Sequence, residues 1–129
     1  LNEDQEGLGK KGDVLGLEVN MRPAGGFTPE MYNYSQETDV YKIWADMIAF
    51  DCNTKDIGNR HFCAFYGRRD GKSYKMDDNA IMSKYGHKMV MWGRIPEALS
   101  GAMANQMYVA NFDTEEEMMA YYQDLAAQY

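Results

Sequence analysis

The chain has 129 residues, 45% of them hydrophobic and 26% charged, with a formal net charge of −7. Those totals fit one globular domain's worth of protein with a real core. They argue against nucleic-acid or anionic-membrane partners, because phosphate surfaces are met by clustered Lys and Arg. No apolar run approaches the roughly 20 residues needed to span a bilayer, and no signal peptide is seen. Cys52 and Cys63 have neither metal-type nor redox-type spacing, so reduced thiols in a cytoplasmic protein are expected. The chain begins at Leu1 rather than Met, which suggests a processed or excised product.

Residues 2–13 are polar and carry Gly7, Gly9 and Gly12, a composition that suits an exposed loop. Residues 14–20 alternate apolar with small or polar groups and predict a strand that ends before Pro23 and Gly25-Gly26. Thr28-Pro29-Glu30 predicts a helix start with Thr28 as N-cap. A second start at Thr38-Asp39 leads Val40, Ile43, Trp44, Met47 and Ile48 at helical spacing, so a helix is expected over 39–50. Residues 52–59 read as a loop.

Residues 61–67 predict a strand, and Asp70-Gly71 a hairpin returning through Ser73 to Lys75. In that reading Arg68, Arg69, Lys72 and Lys75 sit at a solvated hairpin tip. Asp77 or Asp78 is expected to cap a short helix to Tyr85, with Gly86 closing it. Two more strands are predicted over 88–92 and 106–112. Last, Thr114 with Glu115 to Glu117 predicts a capping box. It leads a helix whose apolar face is Met118, Met119, Tyr122 and Leu125. The sum is an α+β chain, a mainly antiparallel sheet with flanking helices.

The segment Leu17-Glu18-Val19-Asn20-Met21-Arg22-Pro23 carries the chemistry. A two-residue period puts Glu18, Asn20 and Arg22 on one face and turns Leu17 and Val19 toward the core. Hard oxygens on Glu18 and Asn20 suit Mg²⁺ shared with phosphate oxygens, and Arg22 suits a developing phosphoryl or acyl-phosphate charge. From spacing alone, a polar-faced strand is also what an ordinary solvated edge looks like. Gly25-Gly26 reads first as a plain flexible turn and only second as an anion-cradling one.

Glu18-x-Asn20-x-Arg22-Pro23 followed by Gly25-Gly26 resembles the closing metal strand of ATP-grasp enzymes such as biotin carboxylase and carbamoyl-phosphate synthase. The downstream Thr38-Asp39-Val40 is similar to the helix that follows their substrate loop. The resemblance implies Mg²⁺ and ATP as cofactors, Glu18 and Asn20 as metal ligands, and Arg22 as a nucleotide-contacting electrostatic catalyst. Gly25, Gly26 and Thr28 would line the substrate side. It also implies that residues 1–59 end an ATP-grasp domain and residues 60–129 form a C-terminal α+β extension packed on it.

An ATP-grasp site further needs a preceding acidic ligand strand, an adenine-clasping lobe with its lysines, and a Gly-rich flap. Residues 1–13 would join the missing ligand strand to the one at Val14. The implied partners are therefore the missing N-terminal lobes of the same enzyme, with small carboxylate and amine substrates, and a homo-oligomer stays open. The piece by itself is expected to be inactive. The alternative from another class is a stand-alone, non-catalytic module that binds a partner through the Met- and Tyr-rich last helix.

Other residues read as structural. His61 and His87 lack ligand-type neighbours, Cys63 in an apolar strand suits a buried inert thiol, and the methionines fall at core-type spacing.

Overall fold

The computed structural model describes residues 1–18 and 24–129. Residues 1–13 form a tight exposed loop. Gln5 bridges Gly9, the Leu1 ammonium donates to the Asp13 carbonyl at 2.6 Å, and Lys11 N–H donates to Asp4 at 2.8 Å. The predicted strand does not form over its described part. Val14 to Glu18 have no regular structure, and Leu17, expected to face the core, is 96% exposed. A strand needs a neighbouring strand to take its N–H and C=O groups, and among the described residues no strand pairs with this segment. Val19 and Asn20 lie outside the described residues.

Helix α1 (Thr28–Gln36) and helix α2 (Val40–Phe50) form an arm. Thr28 is not the cap of α1. Phe27 holds the cap position without a side-chain bond, and Thr28 and Pro29 open the first turn. Asp39 does cap α2, accepting from Lys42 N–H at 3.0 Å. Strand β1 (Phe62–Arg68), helix α3 (Asp78–Tyr85), strand β2 (Met89–Arg94), a one-turn helix α4 (Glu97–Ser100), strand β3 (Gln106–Phe112) and helix α5 (Glu115–Ala126) follow. Asp77 caps α3 by accepting from Ala80 N–H, and Thr114 caps α5 by accepting from Glu117 N–H. Gly86 follows α3 in right-handed geometry (φ −56°), so the chain runs on into a short 3₁₀ turn.

The strands lie in the order β1-β3-β2, with β3 antiparallel to both. β1 and β2 are therefore parallel, and α3 crosses between them. This is the connectivity of a βαββαβ unit without its last strand. One sheet face packs Ala64, Tyr108, Ala110 and Phe112 against Ile81 and Tyr85 of α3 and Tyr121 and Leu125 of α5. The other packs Phe65, Met91 and Met107 against Phe27, Ile95, Met103 and Ala104. Gly67 makes that second layer possible, since a Cβ there would lie 2.6 Å from Ala104 Cβ. The arm is tied on by Phe27 stacked on Phe65 at 6.2 Å and by Asn111 donating to the Tyr34 carbonyl at 2.9 Å.

The expected hairpin after β1 does not form. All seven β1 residues pair with β3 instead, and Ser73 to Lys75 pair with the chain's tail, Tyr74 bridging Gln128. Nor is Arg68 solvated: it is only 5% exposed. On α5 the buried face is Tyr121 and Leu125, with Met118 and Tyr122 half-buried and Met119 turned outward.

The end of α5 is pinned to α3 by Asp124, which accepts from Lys84 Nζ at 2.5 Å and from the Tyr85 hydroxyl at 2.6 Å. The Lys84 bond, then the Tyr85 bond, hold its carboxyl below the usual carboxylate range. A lowered folded pKa gives stability that is present above about pH 4 and lost as pH falls through the folded value. Asp124→Asn is expected to make the acid limb of stability shallower, as measured by urea unfolding between about pH 3 and 5.

Candidate functional site

Glu18 lies at the exposed end of the N-terminal segment. Asn20 and Arg22, the other two residues of the candidate metal strand, lie outside the described residues. Gly25 and Gly26 are exposed and lead into α1. Gly26 has φ +64°, a left-handed value that turns the chain into the helix and that side chains adopt at a cost. The amides of the first turn of α1 receive no side-chain cap. Among the described residues no group of three or more His, Cys, Asp or Glu is placed to hold a metal.

Thr28 opens onto a shallow cleft of about 380 Å³ shared with Met31, Tyr32, Ser35, His61 and Cys63. Burial pushes the Cys63 thiol up to about 11, so it is a protonated, weak nucleophile at neutral pH. Both cysteines are free thiols. His61 reaches Glu37 through Nε2 at 3.2 Å and Asp113 through Nδ1 at 3.4 Å. It thus joins the end of α1 to the turn after β3, which is a structural role. The His61 bond, ahead of the Asn59 amide, lowers the Glu37 carboxyl.

The chain matches no family model, and no curated protein or solved structure is significantly similar to it.

Two further surfaces escaped the sequence reading. Between α1 and α2 runs an apolar groove of about 230 Å³, lined by Pro29, Tyr32, Val40, Ile43, Trp44 and Met47. Helical spacing marked four of these residues, but only as the apolar positions of a helix. In the structure α2 keeps Met47, Ile48 and Phe50 half or more exposed. Its buried residue is Asp46, whose carboxylate takes Lys42 Nζ at 2.8 Å and the Thr54 hydroxyl. Those two bonds, Lys42 first, hold Asp46 below the usual carboxylate range.

The second surface is an open polar cleft of about 460 Å³ around Arg68, Lys72, Tyr74, Arg94 and Tyr108. The signal for it was period two: Arg68 shares a strand face with Ala64 and Tyr66, the face that α3 and α5 cover.

Proposed function

We propose that this chain is the closing metal strand and C-terminal extension of an ATP- and Mg²⁺-dependent carboxylate–amine ligase that works through an acyl-phosphate. The observation that carries the reading is Glu18-x-Asn20-x-Arg22 running into Gly25-Gly26 at the start of a helix. Glu18 and Asn20 would hold Mg²⁺ through hard oxygens, and the ion would supply charge neutralisation for nucleotide phosphates. Arg22 stabilises the acyl-phosphate, and Gly25, Gly26 and Thr28 line the acceptor side. The exposure of Glu18, Gly25 and Gly26 and the uncapped first turn of α1 support this reading. So do the water-facing apolar residues Val14 and Leu17 and the open groove on α2, which suit a piece that works against further protein, here the N-terminal lobes. Free thiols at Cys52 and Cys63 are in keeping with a cytoplasmic enzyme.

The test uses the protein of the complete reading frame and measures Mg²⁺-dependent ADP formation with candidate carboxylates and amines. Glu18→Gln is expected to slow it by about 100-fold with the fold intact. Unchanged turnover in that variant sinks the metal assignment.

The exposed apolar face of α2 also favours a second reading, a non-catalytic module that docks a partner there. Under it no nucleotide dependence is seen at all, and Ile48→Lys abolishes complex formation. On the last helix Tyr121 and Leu125 are spent on the core, Tyr122 is half-buried and Met119 faces water, so Met119 is what that helix offers to the same reading.

A further inference from the structure

The register Arg68↔Gln106↔Arg94 lays three polar side chains in one row at the end of the sheet face that carries α3 and α5. Arg68 is nine-tenths buried and lines the open cleft above that row. Its guanidinium has five N–H groups. Nε and Nη2 donate to the Leu125 carbonyl at 3.2 and 2.9 Å, and Nη1 donates to the Met76 carbonyl at 2.6 Å. Two N–H groups are left over. Among the described residues no carboxylate pairs with this cation. The rings of Tyr74 and Tyr108 lie 4.3 and 5.7 Å from the guanidinium carbon, so what it has left to offer is its edge.

The acids of the cleft are already engaged. Asp70 is held by Arg94 through two bonds of 2.6 Å, Asp78 accepts the Tyr108 hydroxyl, and Asp77 caps α3. Asp77 and Asp78 also sit at the positive end of α3, which offsets their charge. Arg69 is turned away to the carbonyls of Ser100 and Gly101. The Lys72 ammonium has no partner among the described residues. The charged donors still open in this cleft are Arg68 and Lys72, beside the neutral amides of Asn79 and Gln106, and a buried cation with open N–H groups calls for an acceptor.

We propose that the cleft binds a small oxyanion, a phosphate or carboxylate group, at the edge of Arg68 and against Lys72. Two oxygens of such a group match the spacing of adjacent guanidinium N–H groups. The site uses none of Glu18, Asn20, Arg22, Gly25, Gly26 or Thr28, so it stands independently of the ligase reading.

Amide NMR spectra of the chain titrated with inorganic phosphate, and separately with acetate, test it, with chloride at matched ionic strength as reference. Saturable shifts are expected at Asp70 to Asn79 and at Arg94 and Gln106, with Kd in the range of about 0.1–10 mM. Saturation by phosphate alone assigns a phosphoryl source, and saturation by acetate alone a carboxylate one; each supports the site. Lys72→Gln, at an exposed position outside the core, is expected to weaken binding about fivefold or more. Arg68→Lys, checked for folding by circular dichroism, is expected to weaken it about tenfold or more. If neither anion saturates below about 20 mM, or if chloride shifts the same amides equally, the proposal is overturned. Binding indifferent to Lys72→Gln overturns it as well.

Discussion

Replacing Arg68 with alanine is expected to lower the unfolding free energy by about 3 kcal/mol or more, from three hydrogen bonds to a charged donor worth about 1.5–3 kcal/mol each before relaxation. The guanidinium ties the last turn of α5, through the Leu125 carbonyl, and the loop before α3, through Met76, to the end of β1. Its charge lies at the negative end of α5 and over the Tyr74 ring, both of which favour a cation there. Alanine leaves those carbonyls without their donor and opens space beside Tyr74. Arg68→Lys keeps the charge but not the fork, and is expected to recover less than half of the loss. Urea unfolding of the three proteins decides it. A loss below about 0.5 kcal/mol for Arg68→Ala shows that water replaces the guanidinium and that it does not hold the tail.

Tyr121→Ala is expected to cost about 3–5 kcal/mol, the range for emptying a large aromatic site in a core. Tyr121 is fully buried, its ring lies 5.1 Å from both Tyr85 and Phe112, and its hydroxyl donates to the Tyr108 carbonyl at 2.9 Å. It therefore links α5, α3 and the central strand in one contact set. Burial raises its phenol above the ordinary tyrosine range, so the hydroxyl stays a donor through the usual working pH. Tyr121→Phe removes that bond alone and is expected to cost about 1 kcal/mol. Met119→Ala, two residues away and 47% exposed, is expected to stay within about 0.5 kcal/mol. Equal losses for Tyr121→Ala and Met119→Ala, read from denaturation midpoints, would show that α5 does not pack through Tyr121.

These two residues also show how far a sequence pattern reaches. On α5, Met118, Tyr121, Tyr122 and Leu125 stand at i, i+3, i+4 and i+7, so helical periodicity favours Tyr121 over Met119 as the fourth member of the stripe. The structure buries that set through Tyr121 and Leu125 and leaves Met119 in water. Arg68 follows Ala64 and Tyr66 at period two, yet a basic pair beside Asp70-Gly71 looks like a turn. Period two marks Arg68 for the covered face, but the cleft as a whole was illegible, because its row of side chains comes from three strands paired across the sheet.

What the sequence by itself determined is the local structure. Asp39, Asp77 and Thr114 each cap a helix by accepting an N–H three residues on. Such a contact closes within one turn, whatever the rest of the chain does. The α+β class, the antiparallel sheet and the extents of α2, β1 and β3 follow from the same short-range patterns, with ends off by a residue. The Glu18-x-Asn20-x-Arg22 series is legible as spacing alone, and its described end at Glu18 is irregular rather than a strand. Only the tertiary structure decided that β1 pairs with β3 rather than folding back at Asp70-Gly71, that Arg68 is buried, and that Val14, Leu17 and the α2 face stay in water. Those outcomes turn on which distant segments compete for one sheet edge or one apolar surface. That competition is settled by long-range pairing and packing, and neighbours in the chain carry no record of it.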